Sequence, residues 1–121
     1  MLHGGGLSWW NYREVAKLLE KDYHVILPVL DGHSDSCVFF TTIEDNAARL
    51  ISYIDTHFGG QVAVLGGLSL GGQVALEMLS QRLDICRYAL IESALDILEF
   101  VSEINSISKS CCSINLLALL K

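Results

Sequence analysis

The sequence predicts an α/β protein with about four parallel strands and helices on both faces of the sheet. Three observations predict it. Helix-period and strand-period segments alternate along the chain. The strand segments are continuous apolar runs, as expected of parallel strands covered on both sides. One of these runs passes through a glycine-rich turn directly into a helix. The chain has 121 residues, enough for one modest domain, and 51% of them are hydrophobic. The mean hydropathy of +0.41 suits doubly covered strands, or a part of a larger domain with an uncovered apolar edge.

Taken in order, residues 1–3 read as the end of a strand. Residues 9–21 place Tyr12, Val15, Ala16 and Leu19 at helical spacing. Residues 24–30 form a short apolar run ending at the turn Asp31-Gly32. Pro28 lacks an N–H, which suits an edge strand or a strand end. Residues 44–57 read as a helix, N-capped by Thr41 or Thr42, with Glu44 and Asp45 in its first turn. Its buried stripe is Ala47, Ile51, Ile54 and Phe58, and Gly59-Gly60 stops it. Residues 61–68 are a strand buried on both faces. Residues 71–83 are a helix burying Val74, Ala75, Met78 and Leu79. A strand over 87–92 and a helix over 95–105 follow. This succession is that of right-handed crossovers on a parallel sheet. The Ser/Cys-rich stretch 106–121 breaks the rhythm, so the expected division is a core over 1–105 and an irregular or non-native tail over 106–121.

The charge balance excludes several classes. The formal net charge is −6 and no Lys/Arg cluster occurs, which argues against nucleic acid and against an anionic membrane surface. The N-terminus lacks a signal-peptide pattern, and no run reaches the ~18 apolar residues of a membrane span. Cys37, Cys86, Cys111 and Cys112 form no C-x-x-C and read as free thiols in a reducing, cytoplasmic setting rather than as a zinc site.

The strongest chemical signal is Gly67-Leu68-Ser69-Leu70-Gly71, a G-x-S-x-G between strand and helix. A serine hydroxyl is a poor nucleophile unless it is held in the open against a base. A sharp strand-to-helix turn exposes it in strained backbone. Side chains two residues to either side would meet neighbouring backbone, hence Gly67 and Gly71. The helix that follows aims its N–H groups where an oxyanion would develop. A second signal, His3-Gly4-Gly5-Gly6, frees backbone N–H groups to point at a ligand. The N–H of Gly5 could join that of Leu70 as an oxyanion hole. No phosphate-loop pattern follows, which sets a nucleotide-binding module aside. A third, Asp31-Gly32-His33-Ser34, reads as a turn in which His33 is a hydrogen-bonded structural residue.

H-G-G-G, then P-x-x-D-G-H-x-D-S, then G-L-S-L-G-G together resemble the α/β-hydrolase superfamily over roughly residues 1–95. The D-G-H element is closer to its esterase, thioesterase and C–C hydrolase group than to the hormone-sensitive-lipase group, which shares H-G-G-G. The resemblance implies Ser69 as nucleophile and the N–H groups of Gly5 and Leu70 as oxyanion donors. It implies hydrolysis of an ester, thioester or related acyl bond of a small molecule, with no cofactor. Serine at the elbow argues against haloalkane dehalogenases and epoxide hydrolases, which place Asp there.

One part of the pattern fails. In this fold the triad runs Ser, Asp/Glu, His along the chain. All four histidines, His3, His24, His33 and His57, precede Ser69. Glu92, at a strand end, is the candidate acid, with Asp96 nearby, yet an acid there has no histidine to orient. The chain therefore resembles a fragment trimmed at both ends. An early stop or shifted frame near residue 106 would account for its tail. The expected activity is crippled, and the alternative is a non-catalytic remnant or binding module. An exposed sheet edge beside the 87–92 strand would favour self-association.

Overall fold

The computed structural model describes residues 1–94 and 115–119. A 3-10 turn, Trp9–Tyr12, leads into α1, Arg13–Leu19. Helix α2 spans Ile43–Phe58, strand β1 Val62–Leu68, helix α3 Leu70–Gln81, strand β2 Cys86–Glu92 and strand β3 Asn115–Leu119.

Local chemistry sets the ends of α2. The Thr42 side chain accepts the Asp45 N–H at 3.1 Å, and Glu44 and Asp45 lie near the positive end of the helix dipole. Gly59 takes the left-handed conformation (φ 68°) that stops the helix. The Arg82 guanidinium, just past α3, pairs with Asp55 and donates to the Gly60 carbonyl, tying the two helix ends together.

The three strands form one parallel sheet in the order β1-β2-β3. Its register runs from Val62 opposite Cys86 to Leu68 opposite Glu92, and from Tyr88 opposite Asn115 to Glu92 opposite Leu119. On the other side of β1, Leu2 makes a parallel bridge with Gly67: its N–H donates to the Gly66 carbonyl and its carbonyl accepts the Leu68 N–H. The core is one cluster. Leu65, Ala89 and Ile91 of the sheet meet Val74, Ala75, Met78 and Leu79 of α3, backed by Ala47, Ile51 and Ile54 of α2. Each large aliphatic group buried there stabilises the fold by about 1.5–3 kcal/mol.

Four expectations need correction. Residues 24–30 belong to no ladder among the described residues, and two of their backbone groups are taken elsewhere. The Met1 ammonium donates to the Ile26 carbonyl, and the Leu30 N–H donates to His3 Nε2. Strand β1 is not buried throughout: Leu65–Gly67 are buried, whereas Ala63 and Val64 are exposed. The stripe on α1 is not covered either. Val15 and Leu19 face an apolar hollow of about 410 Å³, lined also by Val25, Ile26, Val62 and Val64. Finally, part of the stretch expected to be irregular forms β3, and β3 covers the edge of β2 that was expected to be open. The helix expected over 95–105 lies outside the described residues, as do Asp96, Cys111 and Cys112.

Candidate active site

The turn between β1 and α3 holds Ser69, the serine that the sequence singles out. Ser69 sits at φ 52°, ψ −113°, a conformation that costs a non-glycine residue about 1–3 kcal/mol. Two hydrogen bonds hold it there: its N–H donates to the Glu92 carbonyl at 2.8 Å, and its carbonyl accepts the Gln73 N–H at 2.9 Å. The residue is exposed, and its side chain is not spent on capping α3.

The glycines flanking Ser69 have no room for a side chain. A Cβ on Gly67 would stand 2.2 Å from the Gly71 carbonyl oxygen, and one on Gly71 would stand 2.2 Å from that of Leu2. The spacing in the sequence thus reflects backbone packed against backbone on both sides of Ser69. The loop after the Leu2 bridge lies against the same turn. A Cβ on Gly4 would be 3.5 Å from the Leu68 carbonyl oxygen, and one on Gly5 3.8 Å from Leu70 Cβ. Gly5 and Leu70, distant in sequence, are therefore neighbours beside Ser69.

His3 is fully buried and supports this loop. Its Nδ1 lies 3.0 Å from the Gly4 carbonyl, to which it donates, and its Nε2 accepts the Leu30 N–H at 3.0 Å. Burial holds its pKa below the ordinary histidine value, so the ring is neutral. His33 is engaged at both nitrogens, with Asp31 and Gly6 as partners. The other two histidines lie elsewhere. His24 stacks edge-on against Phe58, and His57 donates to the Tyr53 carbonyl at the end of α2 while stacking on the Tyr53 ring.

Glu92 reaches the site through its backbone, since its carbonyl receives the Ser69 N–H. Its charge also acts on Tyr12. Burial, and after it the Glu92 carboxylate, push the Tyr12 phenol above its ordinary pKa. Helical spacing assigned Tyr12 to a buried stripe, and nothing local in the sequence marks it as a neighbour of Glu92. Asn46 and Arg49 were likewise missed as anchors of the Asp31 turn. Asn46 accepts the Asp31 N–H at 3.1 Å, and Arg49 pairs with the Asp31 carboxylate at 2.9 Å. No cluster of metal-ligating side chains occurs among the described residues. No helix among them is long and apolar enough to cross a membrane. The apolar hollow is lined by neither Ser69, Gly5 nor Leu70.

Comparison with known proteins agrees with this geometry. A family model described as "Alpha/beta hydrolase family" matches residues 1–109. An "AB hydrolase superfamily protein" of Gibberella zeae is 32% identical over 99 residues, which is 80% of this chain and 35% of that protein. A thermophilic esterase from Thermogutta terrifontis superposes with a TM-score of 0.71 at 27% identity, covering 77% of this chain and 35% of that one. The epoxide hydrolase CorEH gives 0.69 at 27% identity, with 77% and 33% covered. The N-acyl homoserine lactonase AidH gives 0.64 at 28%, with 78% and 36% covered. The chain spans about a third of the length of these relatives. A strand-to-helix turn built around Ser69, a glycine loop packed on it and a family match over most of the sequence agree: the chain belongs to the α/β-hydrolase family.

Proposed function

We propose that Ser69 is the nucleophile of a serine hydrolase acting on an ester, thioester or related acyl bond of a small molecule. The Ser69 hydroxyl attacks the carbonyl carbon. The N–H groups of Gly5 and Leu70 stabilise the oxyanion of the tetrahedral intermediate, which collapses with loss of the alcohol or thiol, protonated by the proton taken from Ser69, to leave an acyl-Ser69 that water hydrolyses to the acid and free serine. The observation that carries this reading is the conformation of Ser69 itself: an exposed serine held at φ 52° between a strand and a helix, flanked by glycines whose places admit no side chain. Such strain persists where a function uses it. Serine at this position favours the esterase and lactonase likenesses over that to the epoxide hydrolase.

The base is the open part of the mechanism. His3 and His33 have both ring nitrogens occupied, and His24 and His57 pack around Phe58 and Tyr53. The base must therefore come from outside these four side chains. With a serine and oxyanion donors alone, the 121-residue chain would retain on the order of 10³-fold acceleration over water. The same commitment of every histidine favours a second reading, a non-catalytic hydrolase-like remnant or binding module. Free thiols at Cys37 and Cys86 support a reducing, cytoplasmic setting for either reading.

A fluorophosphonate probe separates the two. Labelling that disappears in Ser69→Ala supports the hydrolase, and a folded protein that takes no label supports the binding module.

A further inference from the structure

We propose that His33 is a positioning residue that locks the Gly4–Gly6 loop, and with it the Gly5 N–H, against the start of α3; this rests on the reading of that loop as an oxyanion hole. The Gly4 carbonyl accepts the Leu7 N–H at 3.1 Å, closing a four-residue turn with Gly5 and Gly6 at its centre. Gly6 has φ 72°, the sign required at the third position of a type II turn. Two adjacent glycines make this turn easy to flip, because the type I form differs mainly by rotation of the Gly5–Gly6 peptide. One side chain opposes the flip: the Gly6 N–H donates to His33 Nε2 at 3.4 Å.

His33 can accept there only in one tautomer, and the fold selects it. Its Nδ1 lies 3.0 Å from the Asp31 carbonyl oxygen, which accepts but cannot donate, so the proton sits on Nδ1 and the lone pair on Nε2. Asp31 is itself fixed from α2 by Asn46 and Arg49. The His33 ring stands edge-on to His3, with centroids 4.8 Å apart, and His3 holds the other end of the same loop through Gly4. Two imidazoles therefore hold the loop at Gly4 and at Gly6, on either side of Gly5.

The test uses the 121-residue chain, with variants His33→Ala and His33→Gln and the control His57→Gln. In ¹⁵N spectra, His33→Ala is expected to shift and broaden or double the Gly5 and Gly6 amide signals, and to slow fluorophosphonate labelling of Ser69 by about tenfold or more, approaching the ~10²–10³ of a lost donor. His33→Gln, whose Oε1 can accept the Gly6 N–H, is expected to recover most of both. His57→Gln is expected to change neither. Gly5 and Gly6 signals that superimpose on the wild type in His33→Ala overturn the proposal, as do shifted signals with an unchanged labelling rate. If the wild type takes no label while His33→Ala still moves Gly5 and Gly6, the locking role stands and the serine-hydrolase reading falls. If His33→Ala does not fold, the wild-type imidazole ¹⁵N shifts decide: a bare Nε2 supports the lock, and a protonated one refutes it.

Discussion

At the scale of single residues, strain and space give opposite predictions around one turn. Ser69 adopts a backbone conformation that any side chain resists. Ser69→Gly is therefore expected to stabilise the fold by about 1 kcal/mol while abolishing probe labelling, whereas Ser69→Ala abolishes labelling without that gain. Equal denaturation midpoints for the two variants would contradict the strain argument. Gly71→Ala is the converse case. Its new methyl would meet the Leu2 carbonyl at 2.2 Å, so a loss of about 3 kcal/mol is expected in urea unfolding. The cysteines offer a chemical check. Cys86 is buried, and desolvation pushes its thiol up to about 11, whereas Cys37 is exposed. At pH 8, iodoacetamide is expected to modify Cys37 at least tenfold faster in the folded protein, as read by peptide mass spectrometry.

At the scale of elements, the sequence was most legible where a segment carries its own signals. Helix α2 has a capping threonine, acidic residues in its first turn and a terminal glycine that do in the fold what their types suggest, and of its apolar stripe Ala47, Ile51 and Ile54 are buried while Phe58 is half-buried. Thr42→Ala, which removes the bond to the Asp45 N–H, is expected to cost about 1 kcal/mol in thermal or urea unfolding. Helix α3 buries the four residues its spacing selects. The strands were less legible, since a strand is completed only by neighbours. Residues 24–30 have strand composition but give their backbone groups to Met1 and His3. Residues 115–119 looked irregular, yet they pair with β2 along five positions. An apolar run states that a strand can form; its partner decides whether it does.

At the scale of the whole molecule, two basic groups that folding desolvates set how stability depends on pH. The Met1 ammonium is partly buried, and the desolvation lowers its pKa from 8.0 to about 6; burial lowers that of His3 as well. Both are bases whose protonated form the fold disfavours, so the unfolded chain binds more protons as the pH falls. Stability should accordingly rise from pH 6 to pH 8, by up to about 2–3 kcal/mol from Met1, and decline further where His3 would titrate in the unfolded chain. Urea midpoints measured from pH 5 to 8 check this. Acetylating the amino group should flatten the 6–8 portion alone.

The sequence by itself determined the class of fold, the two central helices and the serine turn, because each is written in contiguous residues: periodicity, caps, and glycines at fixed offsets from Ser69. It also shows that all four histidines of these 121 residues precede Ser69. Only the tertiary structure decided which distant groups meet. It brought Gly5 against Leu70, the Glu92 charge to Tyr12, His33 to Gly6, and residues 115–119 to the edge of β2. The physical reason is that these contacts are set by parallel pairing and by the path of the crossovers. They join residues far apart along the chain, and no local propensity encodes them.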